Sequence, residues 1–325
     1  MGKYICAAQP GNADVLELRD RPTPTPGAGE IVIAQTKIGV NFLDIYQTSG
    51  LYPFPENDVF VPGNEGAGTV LAVGDGVSGF AVGDRVGYPM AVGAYAEERV
   101  IDASRAVRLP DGVTDDMAAA SMLKGMTVAY LLTQSVPLQA GDKILFHAAA
   151  GGVGLLAGQW LKAIGVEAIG TAGGPEKVAL AQQAGYAHVI DYRNADFVDE
   201  VMQITKGAGV RAVYDSVGRD TYPGSLKVLQ NNGHFISFGQ SSGVATDFKL
   251  ADLAAHGSLY AQRPTLATYI ATSQQLSEMA ELLFAKLLSG ELSVSVNQRF
   301  ALADAADAFR ALTGRKTTGV TLLEV

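Results

Sequence analysis

Cysteine is nearly missing from this chain: Cys6 is the only one in 325 residues. One thiol excludes an intrachain disulfide framework and fits a reducing compartment. Histidine is scarce too. His147, His188, His234 and His256 are the four present, and no two stand at the spacing of a metal-ligand pair. There is no long basic run, and the formal net charge of −9 repels phosphate backbones, so nucleic acid is not an expected partner. A membrane-length apolar run is also lacking. The nearest, Ile144 to Leu161 (ILFHAAAGGVGLLAGQWL), contains four glycines, His147 and Gln159, and it reads as a strand followed by a buried helix. The opening MGKYICAAQPGNAD has no secretory core, and Gly2 without Ser or Thr at position 6 does not match a myristoylation signal. These absences predict a soluble cytoplasmic protein.

Glycine is abundant, at 38 residues, which favours tight turns and close backbone approach. Hydrophobic content of 48% with 18% charged residues describes a core-forming chain, and its length predicts two domains. Two regimes divide it. Up to about Leu123, short β-rich runs such as EIVIAQTKIGV and GTVLAVGDGV alternate with glycine and proline, which suggests a mostly β domain. From about Asp142 strands and helices alternate: KILFHA, EAIGTA, HVIDY, VRAVYDSV, HFISFG and SLYAQ, with PEKVALAQQAG and ADFVDEVMQIT between them. That rhythm builds an α/β fold, a Rossmann-type doubly wound parallel sheet. The expected layout is residues 1–123 with 268–325 in the first domain and 124–267 in the second, with the last strand GVTLLEV rejoining the first.

HAAAGGVG, His147 to Gly154, follows a strand and opens a helix. It fits the dinucleotide fingerprint with alanine in the first glycine position, so Gly151, Gly152, Val153 and Gly154 are candidate phosphate contacts. Gly151 lets the backbone approach a pyrophosphate and Gly154 lets helix pack on strand, while the helix N-terminus offers free N–H groups. An NAD site usually ends its second strand with an acid that holds the ribose 2′-hydroxyl. Here IGTAGGPEK puts Thr171, Ala172 and Gly173 there, followed by Gly174. Lys177 one turn into the next helix and Tyr192 at the third strand's end can meet a 2′-phosphate instead. The cofactor expected is NADPH.

VPGNEGAG, Val61 to Gly68, resembles half of a metal motif without its ligand. The order of a β-rich domain, PGNEGAGTV, GDRV and AAAGGVG resembles the medium-chain dehydrogenase/reductase superfamily. Its zinc members carry Cys in the loop matching Gly39 to Asp44, His before the Glu of a GHE motif, and another Cys near the domain junction. Asn41 and Asn64 stand at the first two positions here. Amides are poor zinc ligands beside thiolate and imidazole, so no metal is expected. GVNFLDIYQTSGLYP, LKGMTVAYLL, LFHAAAGGVGLLAGQW, VYDSVGRDTY, SFGQSSG and GSLYAQRPTL resemble the zinc-free, ζ-crystallin-like NADPH:quinone oxidoreductases of bacteria.

That resemblance implies a GroES-like catalytic domain, a Rossmann NADPH domain, a cleft between them, a homodimer and a quinone or other conjugated acceptor. It implies that Asn41, Phe42, Tyr46 and Tyr52 lie beside the nicotinamide, with Asn41, Tyr46 and Tyr52 positioning the acceptor. Glu65 is expected to tie its loop through hydrogen bonds. Thr127 backs the ring, and Tyr130 approaches the phosphates. Ser216 and Val217 after the fourth strand, Gly239, Gln240, Ser241 and Ser242 after the fifth, and Arg263, Pro264 and Leu266 after the last complete the cofactor contacts. Arg315 matches an arginine that reaches the 2′-phosphate. The alternatives are reduction of an enal or enone double bond, and a low-turnover crystallin-like NADPH binder or RNA binder. The acidic balance argues against RNA.

Overall fold

The computed structural model describes residues 1–55 and 58–325. It divides into two compact units. Met1–Met126, Tyr269–Gly290 and Val294–Val325 form the first; Thr127–Thr268 and Glu291–Ser293 form the second.

The first unit opens with β1 (Gly2–Cys6) and β2 (Glu17–Arg21), an antiparallel pair. Its spine is β3 (Glu30–Val40), followed by helix α1 (Phe42–Thr48), β4 (Glu65–Val73), β5 (Arg85–Pro89), β6 (Glu98–Asp102) and β7 (Val107–Arg108). Ile31, Ile33, Ile38 and Val40 of β3 enter a core with Val70, Val86, Tyr88, Tyr95 and Phe309. Gln35 is buried in the same strand. Its amide donates to the carbonyls of Ala94 and Ala96 at 2.5 and 2.6 Å, and the Tyr88 hydroxyl donates back to its oxygen. Such satisfaction is what a buried amide requires. The stretch matching Gly39 to Asp44, a loop in the zinc members, leads here into a helix over Phe42–Thr48. Asn41 stands at its N-cap in extended backbone; its side chain turns to Glu65 and makes no capping bond, while the Asp44 carboxylate accepts the Asn41 N–H at 2.8 Å and ties down the helix start despite the poor helix propensity of its aromatic residues.

Helix α2 (Asp115–Tyr130) runs through the division between the units. The second unit then alternates β8 (Lys143–Phe146), α3 (Gly152–Ala163), β9 (Glu167–Ala172), α4 (Pro175–Gln183), β10 (His188–Asp191), α5 (Phe197–Ile204), β11 (Val210–Asp215), α6 (Tyr222–Lys227), β12 (Leu229–Ser237) and β13 (Tyr260–Gln262). The six strands are parallel and ordered β10-β9-β8-β11-β12-β13. Strand order therefore reverses between β8 and β11, where such sheets open a crevice for ligands. Strand centres are apolar on both faces: Leu145, Ile169, Ile190, Val213 and Phe235 are buried together on one, and Ile144, Phe146, Ala168, Ala212, Tyr214 and Ile236 are buried on the other. The remaining strands, β14 (Val296–Ala301) and β15 (Val320–Glu324), belong to the first unit's sheet, where β15 pairs antiparallel with β3. Among the described residues no helix is long and apolar enough to cross a membrane.

Beneath the switch point lies a closed polar chain. His147, 1% exposed, sits just past β8 with Nδ1 3.0 Å from the Thr171 hydroxyl and Nε2 3.0 Å from the Ser225 hydroxyl. The one Ser225 proton goes to Asp215 Oδ2 (3.1 Å) or to the Thr221 carbonyl (3.0 Å), so in either case its lone pair receives the imidazole proton and His147 is the neutral Nε2–H tautomer. Burial pulls the His147 pKa below its ordinary value, against the attraction of Asp215. With the native pKa depressed, the unfolded chain binds the extra proton below about pH 6.5, so stability present above that pH is lost as pH falls. Urea unfolding of wild type and His147→Gln at pH 7 and pH 5 should show the wild type losing more stability on acidification than the variant. At pH 7 the variant itself should be less stable by about 1–3 kcal/mol, the cost of orphaned buried partners. Parallel pH curves would refute the neutral-histidine assignment.

Candidate active site

The C-terminal ends of the parallel strands gather most of the expected cofactor contacts. Gly151 is the N-cap of α3 in extended backbone, and no side chain caps the helix, so the N–H groups of Gly152, Val153 and Gly154 open its first turn. A Cβ on Gly154 would lie 2.4 Å from the Ala148 carbonyl and 2.6 Å from that of Ala149, which is why helix and strand pack so closely there. One on Gly151 would meet only the Ala148 oxygen, at 3.3 Å, leaving open space above the turn. An uncapped helix start beside open space fits a pyrophosphate.

At the end of β9 the chain turns through Gly173 and Gly174, the latter with φ +93, a conformation that favours glycine. A Cβ on Gly173 would sit 2.5 Å from the Tyr192 hydroxyl, so that ring covers the turn. Lys177 lies in the first turn of α4, and the Arg193 guanidinium approaches Gly174. Asp191, ending β10, is an acid close to this turn, yet its carboxylate is committed. It accepts the N–H groups of Gly174 (2.8 Å) and Arg193 (3.1 Å) and the Asn194 amide (2.8 Å), and the Gly174 bond most strongly holds its pKa down. The turn thus presents cations and a phenol, which fits a 2′-phosphate.

Past β11, Asp215 accepts the N–H groups of Val217 and Gly218 at 2.8 and 2.9 Å and the Thr221 hydroxyl. The loop Gly239–Ser242 is laced to it: Ser241 N–H donates to the Ser216 carbonyl (3.1 Å), and Ser242 donates to that of Val217 through both N–H and hydroxyl (2.8 Å each). Gln240 sits in the same loop, its Cα 3.1 Å from where a Gly218 Cβ would stand. Arg263 follows β13 and donates to the Ser237 carbonyl at 2.9 Å; Pro264 and Leu266 are buried next to it. Thr127 and Tyr130 lie one turn apart on α2, both buried. The structure brings these six segments to one unit.

Arg315, Asn41, Phe42, Tyr46 and Tyr52 belong to the other unit. Arg315 follows the helix Ala305–Thr313 with left-handed backbone, φ 55. Phe42 and Tyr46 pack on one face of α1 with ring centroids 6.0 Å apart, and Tyr52 is exposed. Beneath α1 is a buried polar cluster. Glu65, with no exposed surface, accepts from Asn41 Nδ2 at 2.9 Å, from the Leu123 N–H at 2.7 Å and from the Lys124 ammonium. Asn64 Nδ2 donates to Asp44 at 2.6 Å and to Gln47 at 2.7 Å, and the Tyr95 hydroxyl reaches Asp44 at 3.0 Å. Burial pushes the Asp44 pKa up to about 6, against the pull of Asn64, the Asn41 N–H and Tyr95.

Zinc does not fit this cluster. Two amides stand at the ligand positions with their nitrogens turned to carboxylates, and an ammonium already faces Glu65. Among the described residues no three His, Cys, Asp or Glu side chains converge. Sequence reasoning missed Asp191, Arg193, Asp215 and the depth at which Lys124 is buried. Asp215 had a local signal, an aspartate followed by Ser-Val-Gly at a strand end, which is turn chemistry; Lys124 had none.

Residues 27–111 match the model "Alcohol dehydrogenase GroES-like domain" and residues 152–285 match "Zinc-binding dehydrogenase". The chain is 47% identical to a quinone oxidoreductase of Pseudomonas aeruginosa over 99% of both chains. It is 40% identical to a 2-haloacrylate reductase of Burkholderia over 92% of each. The crystal structure of Escherichia coli quinone oxidoreductase complexed with NADPH superposes with a TM-score of 0.97 at 44% identity, covering 99% of this chain and 100% of that one. With identity of this level along nearly its whole length, and amides where zinc relatives hold ligands, the chain belongs to the quinone oxidoreductase family, on the zinc-free branch of the medium-chain dehydrogenases/reductases.

Proposed function

We propose that this chain transfers reducing equivalents from NADPH to quinones without a metal. The observation that carries the reading is that Asn41 and Asn64 stand at the ligand positions of the zinc members, with Asn41 bonded to a Glu65 that already faces the Lys124 ammonium. With no Lewis acid to polarise a simple carbonyl, the acceptor must spread its own negative charge, as quinones do. When bound, the reduced nicotinamide supplies the hydride. The chain's part is to hold both partners close and exclude water.

In this reading residues 124–267 form the NADPH domain. The first turn of α3 takes the pyrophosphate, and Lys177, Tyr192 and Arg315 take the 2′-phosphate. Ser216, Val217, Gly239 to Ser242, Arg263, Pro264 and Leu266 line the rest, with Thr127 and Tyr130. Residues 1–123 with 268–325 form the catalytic domain, in which Asn41, Phe42, Tyr46 and Tyr52 face the nicotinamide and acceptor. The protein is taken to be a cytoplasmic homodimer without a nucleic-acid partner.

A second reading has a specific support, the identity with 2-haloacrylate reductase: reduction of an activated carbon–carbon double bond. NADPH oxidation measured over benzoquinone, naphthoquinone, a 2-haloacrylate and an enal decides between them. The highest kcat/KM should fall on a quinone; a halogenated acrylate or enal in first place would replace the proposal with the second reading.

Cofactor choice gives a sharper test. NADPH should bind at least about tenfold tighter than NADH, a difference of about 1.4 kcal/mol. Lys177→Ala should weaken NADPH more than NADH, and the gap should narrow in high salt. Equal dissociation constants in a fluorescence titration of wild type would remove the basis for this site.

Acceptor placement is tested at Tyr52. Tyr52→Ala removes a stacking face and should lower kcat/KM for quinone by about 1–2 kcal/mol, while Tyr52→Phe costs less. The NADPH dissociation constant should move by less than about threefold, roughly 0.7 kcal/mol. Unchanged quinone kinetics in Tyr52→Ala would place the acceptor elsewhere.

A further inference from the structure

The buried cluster under α1 fixes more than the absence of zinc. A carboxylate only accepts hydrogen bonds and an ammonium only donates them. Glu65 Oε1 receives Lys124 Nζ and, at 2.9 Å, the side chain of Asn41. Whatever Asn41 turns toward that oxygen must therefore be its nitrogen. The same Nδ2 has the Gly39 carbonyl, a second acceptor, at 3.4 Å. Both N–H bonds thus face inward, and the amide orientation, usually a matter of choice between two flips, is dictated by its partners. Gly39 makes room for this: a Cβ there would lie 2.3 Å from Glu65 Oε1 and 2.4 Å from the Ala119 carbonyl. The Asn41 backbone is held as well, through its N–H to Asp44. Lys124 and Glu65 are both buried, so neither charge can be left without the other.

We propose that Glu65, paired with Lys124, is a positioning residue that sets the polarity of Asn41, making it a hydrogen-bond acceptor and never a donor toward the ligands. Asn41 then serves a hydroxyl of the cofactor, such as a ribose hydroxyl. It cannot donate to the oxygen of a reduced quinone, which must take its hydrogen bonds from tyrosine or water. This rests on the reaction proposed above for Asn41's ligands, but the amide orientation stands on the cluster alone.

The experiment reads both parts separately. In the protein without NADPH, NMR of the ¹⁵N-labelled Asn41 side-chain amide should show slow hydrogen exchange, with the signal identified by its loss in Asn41→Asp. Exchange as fast as that of an exposed asparagine would overturn the proposal with no variant needing to fold beyond that assignment. For binding, Glu65→Gln and Asn41→Asp should each raise the NADPH dissociation constant by about tenfold or more, the worth of one charge-assisted hydrogen bond. In Glu65→Gln the Asn41 side-chain amide should also exchange markedly faster, because the partner that fixes its orientation is weakened, while other buried amides stay protected. A Glu65→Gln protein that binds NADPH like wild type, or whose Asn41 amide exchanges as slowly as before, would overturn the positioning role. Failure of wild type to bind NADPH at all would count against the cofactor reading, and the exchange result would still decide the orientation.

Discussion

A carboxylate taken out of water must be surrounded by donors, and much of this structure follows from where it keeps two of them. Asp215 ends the fourth parallel strand and collects the N–H groups of Val217 and Gly218 with the hydroxyls of Thr221 and Ser225. Ser225 extends the chain to His147 and Thr171, so one buried charge fixes the exits of three neighbouring strands. Glu65 does the same in the other unit for β3, β4 and α2. The difference lies in the compensation. Asp215 is answered by neutral dipoles, Glu65 by a full charge. The first arrangement shapes loops of backbone; the second holds one side chain at a fixed angle.

What was legible in the sequence was local. The strand-then-helix alternation and the glycines at Gly151 and Gly154 announce themselves within a few residues, because periodicity and close backbone approach are short-range properties. The missing acid after Ala172 was equally plain. Helix α1 was not, since Phe42, Ile45 and Tyr46 give one i, i+3, i+4 repeat in seven residues, too short to establish a period, and the other signal is only the pair Asn41 and Asp44. The polar clusters were invisible for another reason. His147 meets Ser225 across 78 positions and Glu65 meets Lys124 across 59, and no window of sequence joins them. Asp191 shows a third kind of limit: a nearby acid was not absent, but its oxygens were already occupied by backbone.

A buried glutamate at the start of β4 needs a cation, and here Lys124 supplies it from within the chain. A covalently attached cation cannot dissociate and cannot accept a lone pair from substrate. The reaction proposed above accordingly draws on acceptors able to carry their own charge.

The pairing of β15 with β3 has a consequence for biosynthesis. Lys37 to Val40 at the end of β3 lie opposite Thr321 to Glu324, so this half of one strand edge has no partner until almost all of the chain has been made, whereas β6 already covers Glu30 to Ala34. At roughly 5–20 residues per second the wait is on the order of tens of seconds. The residues that intervene include the whole run Thr127–Thr268, which can close its own sheet in the meantime. The domain begun first is therefore finished last. That half-edge, Lys37 to Val40, stays open on the ribosome throughout, and it is where a chaperone or a second nascent chain would find its hold.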